Sequence, residues 1–476
     1  MRIIDQHYID GRFVKAQGTE VQSLINPSTK EIIGQVVLGN EADTQLAVAA
    51  AKTALKAFSK TSVEERSDML QRLHDAVMDK AEVLAAASVE EYGSPAAASY
   101  GRAAFAAQTF LHAKEALEDF EFERTAGSTR IVMEPLGVIG AITPWNANYT
   151  HICGKIAPAL AAGCTIVVKP SEISALQTQL LMECINAAGI PAGVINIVNG
   201  TGSVVGAELT RHQDVAKISF TGSTAVGRLI SKNAADTIKR LTLELGGKSP
   251  NLILDDADLQ TAIPMAMGIA FSNTGQACHA GSRLLIPEHL MEEAKKLIQK
   301  AVVSMKLGYP AEKDTVLGPL VNQKQFDTVQ RYIQSGLDEG AELVAGGLGH
   351  PEGLEGGYFV KPTVFANVTN QMTIAREEIF GPVLSVISYT SQEEAIAIAN
   401  DTIFGLAAYV SSSSLERARE VASRLEAGRV LINKGIHDDP YAPFGGFKQS
   451  GIGRDSGVYG LLEHVEAKAI LGYDEV

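Results

Sequence analysis

Four short apolar runs, CTIVVKP (164–170), GVINIVNG (193–200), VAKISFTGS (215–223) and KRLTLELGG (239–247), decide the fold. Segments of helical character lie between them. That alternation predicts a parallel sheet buried on both faces, because a parallel crossover needs a dozen or more residues and usually takes them as a helix. A second alternation starts near residue 250 with PNLILDD, SRLLIPEHL, a helix through 291–306, GAELVAGG and PVLSVISY. It predicts a second α/β domain.

Towards the N-terminus, a short stretch with strand character precedes three predicted helices over residues 41 to 118. The second is opened by Ser62 with Glu65 three residues on, a capping box, and Gly93, Ser94 and Pro95 separate it from the third. From residue 126, AGSTRIVMEPLGVIGAITP is β-branched and punctuated by glycine, as strands with tight turns are. Ser411–Ser414 is read as a loop and helix N-cap before Leu415.

The 476 residues predict two to four domains at about 100–200 residues each. With 46% apolar and 20% charged residues and no repeat, a globular chain is expected rather than a disordered, collagen-like or coiled-coil one. The net charge of −14 lacks the basic footprint that nucleic acid or an anionic membrane would need, so a small-molecule substrate fits better. Four cysteines, at 153, 164, 184 and 278, are too sparse for a disulfide framework. The uncharged runs at 134–154 and 259–282 carry Pro, Asn or Gln and do not read as membrane helices. No secretory pattern opens the chain, and a cytoplasmic location is expected. Ten histidines without HxxxH or HExxH spacing give no reason to expect a metal.

Several segments could carry chemistry. GTGSVVG (200–206) follows a strand but misses GxGxxG by one residue; FTGSTAVG (220–227) would place a helix N-terminus towards an anion. KPSE (169–172) sets Lys169 and Glu172 at a strand end, where a carboxylate can meet a ribose diol. Cys153, Cys164 and Cys184 lie in apolar stretches and read as core, whereas Cys278 lies among small neighbours in NTGQACHAGSR. Glu244 ends an apolar run, where it is either a base with a raised pKa or a structural carboxylate bonded to backbone. Asn146, in PWNANY, has an amide that could donate to an oxyanion.

Taken in order, PWN, KPSE, FTGS, ELGGKSP, GQAC, EEIFGPV and PFGGFKQSGIGR resemble the aldehyde dehydrogenase superfamily over essentially the whole chain. The resemblance implies an α/β fold with two Rossmann-type parallel-sheet domains plus a β-strand oligomerisation arm. Residues 1–118 and 135–247 would bind NAD, 248–455 would form the catalytic domain, and 119–134 with 456–476 the arm of a homodimer or homotetramer. It further implies Cys278 as nucleophile, Asn146 as oxyanion donor and Glu244 as base. Trp145, Lys169, Glu172, Gly222, Ser223, Glu378 and Phe380 would contact the cofactor: Lys169 and Glu172 the adenosine ribose, Gly222 and Ser223 the pyrophosphate, Glu378 and Phe380 the nicotinamide ribose and ring.

The expected reaction is NAD-dependent oxidation of an aldehyde to the acid through a cysteine thioester, with NADP disfavoured because Glu172 would repel a 2′-phosphate. A coenzyme A-acylating enzyme and a retired scaffold are the alternatives. His151, His279, Asp438 and Phe444 are the candidate substrate contacts. Small Ala147, Gly154 and Ala277 suggest a roomy tunnel, and His437, Asp438 and Asp439 an acidic mouth that would favour bulky, neutral or cationic aldehydes. The competing expectation is that these loop residues are solvated and select nothing.

Overall fold

The four deciding runs form strands Thr165–Lys169, Ile195–Ile197, Val215–Thr221 and Arg240–Glu244 in a computed structural model of the chain, which describes residues 2–437 and 439–473. With Val138–Ile142 they make the parallel centre of an eight-stranded sheet. Chain entry is at Val138–Ile142. From there it moves outward through Thr165–Lys169 to Ile195–Ile197, then returns on the other side through Val215–Thr221 to Arg240–Glu244. A crevice therefore opens between the carboxyl ends of Val138–Ile142 and Val215–Thr221, where connections diverge to opposite faces. Gly451–Ile452 adds an antiparallel edge strand beside Leu243–Glu244.

A seven-stranded sheet follows, in the order Glu342–Ala345, Thr363–Ala366, Val383–Tyr389, Arg283–Pro287, Pro250–Ile253, Ala407–Ser411, Arg429–Ile432. All are parallel except Glu342–Ala345. Because only residues 245–249 join Glu244 to Pro250, the carboxyl edge of the first sheet feeds directly into the amino edge of the second. That short link makes the two edges face each other. Two three-stranded sheets complete the fold: Arg2–Ile4, Ile32–Val37 and Val21–Ile25; and Val465–Ile470, Thr129–Pro135 and Glu123–Ala126.

Helices Val63–Met78, Ala96–Glu118 and Asn148–Ala161 cover one face of the first sheet, burying Leu70, Leu73, Phe110, Ile152 and Ile156. Each such side chain contributes about 1.5–3 kcal/mol on burial. The expected three N-terminal helices are four. Ser62 and Glu65 make their capping box, yet Lys80 leaves the helical basin at φ −110°, ψ 8°, and helix Ala81–Ala87 runs into one π-turn, Ser88–Tyr92. Neither Asp79 nor Lys80 is a helix breaker, and the buried series Val77, Ala81, Leu84 continues through the turn, so the sequence pattern conceals it. The helix expected over 291–306 ends at Ser304. GTGSVVG forms a π-turn leading into helix Ala207–Arg211, and Ser414 caps helix Leu415–Ser423. Among the described residues no helix is long and apolar enough to cross a membrane.

Candidate active site

Every motif of the first sheet lies at a strand's carboxyl end. PWN follows Val138–Ile142, KPSE follows Thr165–Lys169, FTGS follows Val215–Thr221, and Glu244 ends Arg240–Glu244. Cys278 and Glu378 come from the opposite side, in the loops that lead into Arg283–Pro287 and Val383–Tyr389. The glycine pair after Glu244 allows this meeting. A Cβ on Gly246 would lie 2.1 Å from Glu378 Oε2, and one on Gly247 would lie 2.5 Å from the carbonyl oxygen of Cys278. Gly247 N–H donates to Glu378 Oε1 at 3.2 Å.

Trp145, Asn146, His151, Glu244, Cys278, His279 and Phe444 all line one cavity of about 500 Å³. Glu244 is buried, and neither of its carboxylate oxygens has a hydrogen-bond partner. A structural carboxylate bonded to backbone is therefore excluded. Burial first, and then the negative charge of Asp455, raises Glu244 well above the ordinary carboxylate range, against the lowering influence of Lys155 and Arg454. Lys155 Nζ is itself held by Ser219 Oγ at 2.9 Å and Asp455 Oδ2 at 3.4 Å.

Cys153, Cys164 and Cys184 are buried, as expected of core residues, whereas Cys278 is partly exposed to the cavity. Burial pushes the Cys278 thiol up to about 12, helped by the negative charges of Glu378 and Glu244. His279 Nδ1 lies 3.9 Å from Cys278 Sγ, and the Tyr409 hydroxyl donates to the His279 carbonyl at 2.9 Å. His151 is lowered to about 3 by burial and then by Lys155 and His279, so it is a neutral wall group.

Asn146 Nδ2 donates to the carbonyl of Gln276 at 3.0 Å. An amide nitrogen carries two hydrogens, so this bond orients the group and leaves a second N–H available. Gln276 is anchored in turn: its Nε2 donates to the Tyr92 hydroxyl at 3.2 Å, and its Oε1 accepts from Val321 N at 3.0 Å. Sequence reading passed over Tyr92 and Arg102, which support this loop from afar and sit in no chemistry-bearing motif, and over Asn273, which opens NTGQACHAGSR but was outweighed there by Cys278.

The expected cofactor contacts gather outside the cavity, apart from Trp145. Lys169, buried, donates to Glu172 Oε2 at 3.2 Å. Gly222 and Ser223 start helix Thr224–Ala234, with Ser223 Oγ accepting from Val226 N at 3.4 Å. Phe380 meets Trp145 edge-on with centroids 5.5 Å apart, its carbonyl held by Gln325 Nε2 at 2.8 Å. Thr143 Oγ1, on the crevice between these groups, is buried without a partner. A carboxylate for a ribose diol, a helix N-terminus for phosphates, an aromatic pair and an orphaned hydroxyl fit a dinucleotide.

Of the expected mouth, Asp439 lines the cavity, and the carbonyl of His437 accepts from Arg429 Nη2 at 2.6 Å. Asp438 lies outside the described residues. Arg102 and Arg429 also line the cavity, the latter over the Phe444 ring at 5.2 Å, so its walls carry both signs of charge.

Comparison with known proteins gives a consistent picture. The aldehyde dehydrogenase family profile matches residues 13–470. The chain is 48% identical over 483 residues to 3-succinoylsemialdehyde-pyridine dehydrogenase of a Pseudomonas species, covering 100% of both. A cysteine-to-alanine variant of aldehyde dehydrogenase C from Pseudomonas syringae, solved with NAD+ and octanal, superposes with a TM-score of 0.98 at 43% identity, over 99% of this chain and 97% of that one. Betaine aldehyde dehydrogenase of Staphylococcus aureus with NAD+ gives 0.96 at 36% identity, over 99% and 95%.

Proposed function

The chain belongs to the aldehyde dehydrogenase family and oxidises an aldehyde with NAD, and on that premise we propose that the chemistry runs through Cys278, Glu244 and Asn146. The observation that carries the assignment is Glu244: a buried carboxylate with both oxygens unpartnered, opening on the same cavity as the thiol.

Two negative charges are costly side by side in one buried site, so Glu244 and Cys278 share a single anion. When Glu244 holds the proton, the Cys278 thiolate attacks the carbonyl carbon. The resulting oxyanion is met by the second N–H of Asn146 and the backbone N–H of Cys278, and one such donor is worth about 3 kcal/mol. NAD, which Lys169, Glu172, Ser223, Glu378 and Phe380 would hold, would supply the acceptor for the hydride that the adduct loses as it becomes a thioester. Once Glu244 has released its proton to solvent, it takes a proton from water as that water attacks the thioester, and Cys278 leaves as thiolate while the carboxylic acid forms. Glu172 would accept from a ribose 2′-hydroxyl and repel a 2′-phosphate, which supports NAD over NADP.

The aldehyde is assigned as bulky and uncharged. Gly101 and Gly154 line the cavity with nothing within 4 Å of where their Cβ atoms would stand, which supports a wide tunnel. The Pseudomonas relative, named for a pyridine-bearing semialdehyde, agrees with that width. Arg102 and Arg429 in the wall remove support for cationic aldehydes. His151, His279 and Phe444 would contact the substrate.

Residues 1–118 with 135–247 are assigned to cofactor binding, 248–455 to catalysis, and 119–134 with 456–476 to an arm. The exposed strands Glu123–Ala126 and Val465–Ile470 support a homodimer or homotetramer, since a second copy would cover edges that otherwise invite aggregation. Four unpaired cysteines support a reducing, cytoplasmic setting.

NADH formation across aliphatic, aromatic, amino- and semialdehydes, beside Cys278→Ala, tests the assignment. Turnover that vanishes in the variant is expected. Turnover that persists in it, or that requires coenzyme A, overturns the assignment.

A further inference from the structure

Helix Ala96–Glu118 forms one wall of the cavity, and from it Arg102 reaches the loop that precedes the nucleophile. Arg102 Nη1 donates to Asn273 Oδ1 at 2.5 Å and to Ser94 Oγ at 3.2 Å. Asn273 Nδ2 donates to two carbonyls, those of Asn146 and Gln276, both at 3.0 Å. These two residues bear on the oxyanion: Asn146 carries the donor, and Gln276 accepts from it.

The Asn273 amide has only one workable orientation here. Flipped, its nitrogen would face a guanidinium and its oxygen two carbonyls, which pairs like with like at both ends. The charge of Arg102 therefore decides which way the amide points and strengthens the two bonds it makes beyond. The loop needs such a hold. Asn273 and Thr274 are consecutive left-handed residues, at φ 55° and 57°, a conformation that Asn tolerates and β-branched Thr avoids. Thr274 is pinned by a reciprocal pair with Gly318, its hydroxyl accepting from Gly318 N at 3.1 Å and donating to Gly318 O at 3.3 Å. Asn273 is pinned by Arg102 and Asn146.

We propose that Arg102 is a positioning residue for the oxyanion site: it orients the Asn273 amide, which holds the Asn146 peptide and the Gln276 carbonyl at the spacing the tetrahedral adduct requires. Arg102 touches no reacting atom and acts through Asn273. The inference rests on Asn146 being the oxyanion donor.

Steady-state kinetics of the full-length enzyme at saturating NAD, with hexanal and benzaldehyde, tests it in Arg102→Met, Arg102→Lys, Asn273→Ala, Asn273→Asp, the Arg102→Met/Asn273→Ala double variant and Asn146→Ala. Arg102→Met should lower kcat about tenfold for both aldehydes with KM within about twofold, and Lys should restore most of the loss. The double variant should be no slower than Asn273→Ala, because one chain of contacts is cut twice. Alkylation of Cys278 by iodoacetamide, which needs no oxyanion donor, should keep its rate.

Unchanged kcat in Arg102→Met, additive losses in the double variant, or a KM shift for one aldehyde alone would overturn the proposal. A fall in alkylation rate parallel to kcat would reduce Arg102 to a general structural role and overturn it too. If Arg102→Met does not fold, Asn273→Asp carries the test: it keeps an ion pair with Arg102 but loses the amide donors, and full kcat in that variant overturns the proposal. Asn146→Ala separates the two levels. Wild-type kcat there would remove the oxyanion reading itself, whereas a loss of roughly 10²–10³ there with none in Arg102→Met would remove only the inference.

Discussion

Gly246 lies so close to Glu378 that a methyl group on it would sit 2.1 Å from the carboxylate oxygen, while one on its neighbour Gly247 would meet backbone, 2.5 Å from the Cys278 carbonyl oxygen. The two glycines therefore tolerate a side chain differently. Gly246→Ala meets the far end of a flexible side chain, which can swing away. It should leave Tm nearly unchanged while raising KM for NAD, since Glu378 is displaced. Gly247→Ala meets backbone that cannot yield, so both stability and kcat should fall. Equal thermal shifts in the two variants, read by calorimetry, would contradict this.

Glu244 sets function against stability. A buried carboxylate whose pKa is raised binds a proton more tightly folded than unfolded, so stability falls as pH climbs above the unfolded value near 4.5, up to the raised folded value. Glu244→Gln, which has no proton to lose, should consequently lose stability less steeply than the parent between pH 5 and 8, as read by urea denaturation. Turnover in the same variant should drop roughly 10²–10⁴-fold, and the first-turnover burst of NADH should slow with it, since glutamine cannot take the Cys278 proton. A variant that loses stability as steeply as the parent over that range would contradict the burial argument.

With its thiol pushed up to about 12, Cys278 in the enzyme without cofactor holds little thiolate near neutrality. Its alkylation rate should rise about tenfold per pH unit through pH 7–10. Removing a neighbouring negative charge, as in Glu378→Gln, should speed alkylation at any given pH. A plateau below pH 9 would show that burial does not govern the thiol.

Gly154, on helix Asn148–Ala161, faces open cavity. Gly154→Leu should cost no local clash and stabilise the helix by up to about 1 kcal/mol, while filling the tunnel. Aromatic and long aldehydes should then lose kcat/KM at least about tenfold relative to propanal, one to two buried methylenes' worth of contact. The matching comparison on the parent is succinic semialdehyde against an uncharged aldehyde of similar length. A preference for the acid would rule out the uncharged class.

Arg283 is fully buried, and its guanidinium donates to the carbonyls of Lys248, Ile398 and Ala399 and to Asn370 Oδ1. Arg283→Met should cost at least about 3 kcal/mol by orphaning several of these acceptors at once. Urea denaturation gives the number, and a loss under 1 kcal/mol would show that the carbonyls find other donors.

The strands were legible because their signals are local. In CTIVVKP, β-branched and apolar residues without alternation mark a strand buried on both faces, and strand Thr165–Lys169 lies there; VAKISFTGS, where Lys217, Ser219 and Thr221 alternate with Ile218 and Phe220, also forms its strand, Val215–Thr221, but only the tertiary structure buries its polar face. Helix ends set by a side chain, such as Ser62 with Glu65, were legible for the same reason. The bend at Lys80 was not, since no local residue imposes it.

By itself the sequence determined two parallel-sheet units, the family and the identities of the candidate nucleophile, base and amide, because periodicity and short motifs depend on residues near one another in the chain. Only the tertiary structure decided how those groups stand. It left Glu244 without a partner, turned the Asn146 amide towards Gln276, placed Arg102 behind Asn273 and brought Gly246 against Glu378. The last three relationships join residues more than a hundred positions apart, and such contacts are set by how two sheets meet edge to edge rather than by any pattern along the chain.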